Sequence, residues 1–202
     1  RQKIDVMQIY FGHGKSNRSI LIMFFKYLSK IIEKVISKLS GRTQSSTIIF
    51  SIGRILDKQL NIWRIKQSRI KGLLIICDRY PQYSISRVND GPFLKEYTNL
   101  ESSANFIINR IAKWEQKVYL QAEALKPDLV IKLNVDPKIA YMRKNGETDM
   151  QTLINKNELL KNIEFKMAKD VIVLENNNDN LINVQNKAIS LIWSTIIKSN
   201  IK

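Results

Sequence analysis

Leu73-Leu74-Ile75-Ile76-Cys77-Asp78-Arg79-Tyr80 is the stretch on which the reading of this chain turns. Leu73 to Cys77 is uniformly apolar, too short for a core helix and too apolar for a surface strand. The pattern predicts a central parallel strand buried on both faces. In open α/β sheets ligands lie beyond the carboxyl ends of the strands. A carboxylate and a guanidinium placed directly after such a strand are therefore held at the rim of the crevice. Asp78 there suits Mg²⁺, or its waters, against nucleotide phosphates, the arrangement known as Walker B. Arg79 adds a fixed cationic fork that suits phosphate. The same pair also suits simple bracing of the strand end, and the pattern alone separates neither reading from the other.

Working outward, 4–11 reads as a short strand, and Asn17 and Ser19 as helix N-caps. The 20–39 segment repeats apolar residues at helical spacing, with Lys26, Lys30, Lys34 and Lys38 opposite. After a polar loop with Gly41, 47–71 predicts a second long helix closed by Gly72. Beyond the opening stretch, 81–100 is loop-like, with Asn89-Asp90-Gly91-Pro92 as a turn signal. Helices are expected over 101–125, with Ile107, Ile111, Trp114, Val118 and Ala122 on one stripe, then from Pro137, over 150–162 and over 181–198. Strands are expected over 128–135 and 171–174. Strands alternating with long helices predict an α/β fold in which 73–77, 128–135 and 171–174 lie parallel in one sheet, with helices on both faces. No linker divides the chain, so 1–202 reads as one domain.

The chain has 202 residues, is 44% hydrophobic and carries a net charge of +15. That composition fits a globular domain and excludes a disordered chain. The charge is uneven: residues 1–75 hold 15 Lys/Arg against 3 Asp/Glu, and residues 76–202 hold 18 against 15. A solvated basic face, an anionic ligand, nucleic acid and a membrane surface all fit this imbalance. The longest purely apolar run, Ile20 to Phe25, falls far short of the ~20 residues that span a bilayer. No secretory signal is visible, and the single cysteine, Cys77, excludes an internal disulfide framework. A cytoplasmic setting is the expectation. Cys77 itself reads as a small core residue. His13, between Gly12 and Gly14, has no ligand-type neighbour and reads as a loop histidine. Trp63, Trp114 and Trp193 fall on predicted helices and read as core packing.

As a set, these features resemble the thymidylate kinase family. Asp78-Arg79-Tyr80 after an apolar strand is similar to its Asp-Arg-Tyr/His motif. Lys126-Pro127-Asp128-Leu129-Val130-Ile131-Lys132-Leu133-Asn134-Val135-Asp136-Pro137 resembles its later strand, with the Pro-initiated helix behind it. Arg143-Lys144 matches the start of the mobile lid, here about 143–160, and Glu147 is similar to an acidic lid residue. The last strand and the helix with Trp193 match the family's ending. The resemblance covers the chain from about Gly72 onward and implies a P-loop NTPase fold, ATP and Mg²⁺ as cofactors and a nucleotide substrate. It implies Asp78 as the Mg²⁺ residue, Arg79 on the acceptor phosphate and Arg143 on the transferring phosphoryl group. Lys144 and Arg87 are further phosphate-side candidates, and Tyr80 is a wall or base-stacking candidate.

The departures are as informative. The family's G-x-x-x-x-G-K-[ST] loop has one candidate here, in Phe11-Gly12-His13-Gly14-Lys15-Ser16. Gly14-Lys15-Ser16 matches its end, but the first glycine falls at Ile9. The segment fits the second strand and its loop better, which places the first strand and the phosphate loop upstream of Arg1. Without that loop the chain is expected to transfer phosphate poorly or not at all. A gap is expected in the sheet where the first strand belongs, and open strand edges would favour a homodimer. The Arg-Glu-Pro-Gly and Ala-Tyr-Gln stretches of thymidylate kinases are absent, and Tyr83-Ser84-Ile85-Ser86-Arg87 stands in the second region. The acceptor therefore rests on fold resemblance alone. A non-catalytic binding module with a basic N-terminal third is the alternative, and membrane attachment through 20–39 is a third, less favoured reading.

Overall fold

In a computed structural model of the chain, the described residues are 4–12, 24, 27–28, 30–31, 44–88, 90–98, 106–145, 147–177 and 181–200. They divide into two compact units, Arg1–Ala122 and Glu123–Lys202.

The first unit is built on strands β1 (Val6–Tyr10) and β2 (Leu74–Asp78), which pair in parallel with Val6 opposite Leu74 and Tyr10 opposite Asp78. The connection includes helix α1 (Gln44–Ile70), as a parallel pair requires a long crossover. Gly72 ends α1 with φ +69. Gly72 N donates to Arg69 O at 3.0 Å and Leu73 N to Ser68 O at 3.1 Å, the two bonds of a Schellman cap. The buried stripe of α1 runs Ser51, Ile55, Lys58, Ile62, Ile65, at helical spacing. Helix α2 (Phe106–Glu123) buries Ile108, Ala112, Glu115, Val118, Tyr119 and Ala122. Leu94, from a loop whose 3₁₀ turn spans Lys95–Tyr97, packs with Ile108 and Ala112. Each apolar side chain buried in this way contributes roughly 1.5–3 kcal/mol.

The second unit pairs β3 (Leu129–Asn134) with β4 (Asp170–Glu175), also in parallel, with Leu129 opposite Asp170. Helix α3 (Pro137–Arg143) opens with Pro137 in its first turn, and the Asp136 carboxylate accepts from Lys138 N at 2.8 Å. Helix α4 (Met150–Lys161) is capped the same way by Asp149. Helix α5 (Leu181–Asn200) packs on both strands.

Several expectations need correction. The described strands form two two-stranded parallel sheets, not one sheet containing 73–77, 128–135 and 171–174, because β2 pairs only with β1 and no described strand bridges β2 and β3. Nor is β2 buried on both faces: Ile76 is 41% exposed. Trp63 and Trp193 are exposed, and Trp63 stands off the buried stripe of α1. On α2 the stripe passes through Ile108 instead of Ile107, which is 68% exposed. The expected 20–39 helix lies mostly outside the described residues. Phe24 and Ile31, expected on its apolar stripe, are exposed. Gly14-Lys15-Ser16 also lies outside the described residues, while Ile9 is a buried strand residue. No helix among the described residues is long and apolar enough to cross a membrane.

Candidate functional site

The carboxyl ends of β1 and β2 come together because the strands are parallel and in register. Phe11 N continues the ladder one residue further, donating to Asp78 O at 3.1 Å. Asn61 of α1 donates its side-chain amide to Tyr10 O at 3.3 Å, fixing the end of β1. The Asp78 side chain is exposed at this end, and among the described residues it accepts no hydrogen bond and makes no ion pair.

Arg79 has φ 58, in the left-handed region that a non-glycine residue enters at a cost. The turn throws its guanidinium back over the strand ends, 5.8 Å from the centroid of the Tyr10 ring. Gly12 lies beneath: a Cβ there would collide with the far end of the Tyr10 ring and stand 2.7 Å from Arg79 Cδ. Arg79 also pairs with Asp90 at 3.8 Å, half of the Arg79 side chain remaining in solvent while Asp90 is 7% exposed. Tyr80 turns inward. Its hydroxyl donates to Ala122 O, and its ring meets Phe11 edge-on at 5.9 Å.

The loop that follows is held by one side chain. Buried Gln82 donates to Ile85 O at 2.8 Å and Val88 O at 2.6 Å, and accepts from Ile85 N and the Ser84 hydroxyl. Arg87 and Asp90 both have φ 60, so this short loop holds three strained residues with Arg79. Strain of this kind gathers at functional sites when the surroundings over-determine it. The exposed Arg87 guanidinium stands 4.8 Å from the Phe93 ring centroid, and Arg54 of α1 stands 4.9 Å from the same ring.

Beneath the loop lies a buried set of charges that sequence reasoning missed. The Glu115 carboxylate, 2% exposed, accepts from Phe93 N at 2.9 Å and Leu94 N at 2.7 Å. Burial pushes its carboxyl above the ordinary value, opposed by those two amides. Tyr119 donates its hydroxyl to Asp90 O at 2.7 Å, and burial raises its phenol well above the ordinary value. Burial also pushes the Asp90 carboxyl up, against the pull of Lys58, Arg79 and Arg54. Lys58, 1% exposed, holds its ammonium 5.3 Å from the Tyr119 ring centroid, and burial pulls its pKa down to about 8. One signal pointed to Lys58: it stands on the buried stripe of α1, three residues after Ile55 and four before Ile62.

The remaining candidates lie in the second unit. Arg143, in the last turn of α3, donates to Asn177 O at 3.2 Å. Lys144 caps that helix through its backbone, and Lys144 and Glu147 are exposed. Beside the carboxyl end of β3 is a cavity of about 220 Å³, whose lining includes Asn134, Pro137, Leu153, Lys156 and Asn157.

Among the described residues no group of three or more His, Cys, Asp or Glu side chains could hold a metal ion. The Asp78 carboxylate, without a partner among the described residues, could serve as one ligand of a Mg²⁺ ion whose other ligands are phosphate oxygens and waters. A bound Mg²⁺ would neutralise charge on the phosphates. Cys77 is a poor ligand or nucleophile, since burial pushes its thiol up to about 12.

No family model matches the chain, and no solved structure does. Two curated proteins do: the uncharacterized ATP-binding protein YghR of Escherichia coli K12 and its counterpart in E. coli O6:H1 CFT073. Each is 30% identical over 90 residues, which is 44% of this chain and 34% of the relative. The matched stretch thus spans about a third of the curated relatives' length.

Proposed function

We propose that the strand ends at Asp78 and Arg79 bind nucleotide phosphate, as part of an ATP-dependent nucleotide kinase of the thymidylate kinase type. The observation that carries this reading is the exposed Asp78 carboxylate, without a hydrogen bond or ion pair among the described residues, beside a guanidinium bent back over the same strand ends. Asp78 takes the Mg²⁺ ion or its waters. Arg79 takes acceptor phosphate, with Arg87 on the same loop as a second cation. Arg143, with Lys144, is kept as the candidate for the transferring phosphoryl group on the sequence resemblance alone. Tyr80 is wall, since its hydroxyl and ring are already engaged. The likeness to an ATP-binding protein supports nucleotide binding; the thymidylate kinase type rests on the sequence motifs. With no G-x-x-x-x-G-K-[ST] in the sequence, phosphoryl transfer by this chain alone should be slow or absent.

Calorimetric titration with Mg·ATP, beside a coupled assay over a panel of nucleoside monophosphates, tests the reading. Weak binding that Asp78→Asn weakens further with Mg²⁺ present, and leaves unchanged without it, is the expected result. Tight binding that disappears in Lys15→Ala would move the phosphate site to Gly14-Lys15-Ser16. Equal binding by wild type and Asp78→Asn would remove Asp78 from it. A non-catalytic module for an anionic partner is the second reading, favoured by the exposed Arg64, Lys66 and Arg69 in the last two turns of α1 and the exposed Lys71 just beyond it. Tight binding of a polyanion with no response to ATP would select it.

A further inference from the structure

Lys58 is the most anomalous group in the first unit. Its side chain is fully buried, and no described acceptor reaches its Nζ within hydrogen-bonding distance. A buried ammonium without hydrogen bonds is costly, and an apolar side chain of similar length would serve packing better. The charges around it come from three elements. Arg54 and Asp57 belong to its own helix, Asp90 to the loop after β2 and Glu115 to α2, where Tyr119 presents its ring. Glu115 is already engaged by two loop amides. Asp90 is engaged differently. Its carbonyl takes the hydroxyl of the same Tyr119 whose ring meets Lys58, and its buried carboxylate pairs with Arg79. Lys58, Tyr119, Asp90 and Arg79 thus form one continuous line from the interior of α1 to the end of β2.

We infer that Lys58 is a positioning residue whose buried ammonium keeps the Asp90 carboxylate charged and in place, so that Asp90 fixes Arg79 over the strand ends. The inference rests on the phosphate-binding reading of Arg79 for its functional consequence, though not for the Lys58–Asp90 coupling itself. Burial, with the Asp78 carboxylate adding to it, would drive Asp90 toward its neutral form, and Lys58 is the foremost of the cations that oppose this. A protonated Asp90 offers Arg79 no opposite charge. The guanidinium, half in solvent and on a strained backbone, would then sample other directions.

The experiment uses the full chain with Lys58→Met, Lys58→Arg and Arg79→Ala, and three readouts. They are urea stability, the carboxyl ¹³C titration of Asp90, and calorimetric affinity for inorganic pyrophosphate without Mg²⁺. Lys58→Met should be as stable as wild type or more so, because an ammonium buried without a hydrogen bond is replaced by a thioether chain. Its Asp90 midpoint should move up, and its pyrophosphate affinity should fall roughly tenfold, the scale of one charge-assisted contact. Lys58→Arg, which keeps the charge, should restore both. A role in packing alone predicts the reverse ordering, with stability lost and the Asp90 midpoint unmoved, and that result overturns the inference. Should Lys58→Met not fold, an Asp90 midpoint in Lys58→Arg that rises instead of staying at the wild-type value overturns it equally. If neither wild type nor Arg79→Ala binds pyrophosphate, the phosphate reading of Arg79 fails, and the Asp90 titration still decides whether Lys58 holds that carboxylate.

Discussion

Gly91→Ala tests how the loop behind the candidate site is built. Gly91 does not have the left-handed backbone that would demand glycine, so an alanine is conformationally acceptable there. The obstacle is space. A Cβ would run into the Ile85 carbonyl oxygen and lie 2.5 Å from Gln82 Nε2 and 3.0 Å from the Val88 carbonyl oxygen. These atoms belong to one hydrogen-bonded knot, in which Gln82 Nε2 donates to both carbonyls and Gly91 N donates to Val88 O at 2.9 Å. Relief requires opening two or three of those bonds, each contributing about 0.5–1.5 kcal/mol, with orphaned buried groups adding about 1–3 kcal/mol. The smaller freedom of alanine in the unfolded chain returns about 0.4–1 kcal/mol. The net loss should be roughly 4 kcal/mol, measured as a lower urea midpoint at unchanged slope. Gly12→Ala is the control. Its clash involves movable side-chain atoms of Tyr10 and Arg79, so its stability cost should be smaller, about 1 kcal/mol, while phosphate binding suffers more. Gly91→Ala no more destabilising than Gly12→Ala would refute the account of the loop.

The pH dependence of stability should carry the mark of Lys58. Its pKa is lowered from 10.5 to about 8, so between those values the unfolded chain keeps a proton that the folded chain has released. Wild-type stability should therefore gain with rising pH, by about 3 kcal/mol across that window. Lys58→Met should lack this gain, and parallel pH profiles for the two proteins in urea melts would contradict it. Cys77, with its thiol pushed up to about 12, should react with iodoacetamide about a hundredfold or more slowly in the folded chain than in urea; equal rates would show that β2 is not packed as described. Asp149→Ala removes the acceptor for Thr152 N, 3.0 Å away, and should lower stability by about 1 kcal/mol, restored by Asp149→Ser; no change would mean that the cap is solvated.

What could be read from the sequence was what depends on local chemistry. Gly72 ends α1 and Pro137 opens α3 because a left-handed residue and a preset φ act at single positions. The four strands lie close to where their apolar runs place them, since period and composition are local too. Sheet membership was not legible, because it depends on which strands are present to pair, and no residue in Leu73–Cys77 encodes its neighbour. The Asp78-Arg79 pair could be read as a motif, but its geometry could not. Arg79 bends back because of a strained backbone and the space above Gly12, neither of which has a sequence signature. The Lys58, Asp90 and Glu115 set was hidden for a different reason. On a chain with 33 Lys and Arg, a cation on a buried stripe resembles the many that reach solvent.

Gln82 leaves position 82 unusually intolerant of change. Its amide meets two carbonyl oxygens with its nitrogen, and a backbone N–H and a hydroxyl with its oxygen. Only a side chain that presents donor and acceptor at opposite ends of one planar group satisfies all four. Glutamate has the same size and shape but places an oxygen against each carbonyl, so the gentlest substitution by volume becomes among the harshest by polarity. Slow hydrolytic deamidation of this glutamine would make that change without any mutation. An aged sample would then lose the loop that carries Asp90 while its strands and helices remained intact, and its mass would record the event as a gain of about one dalton.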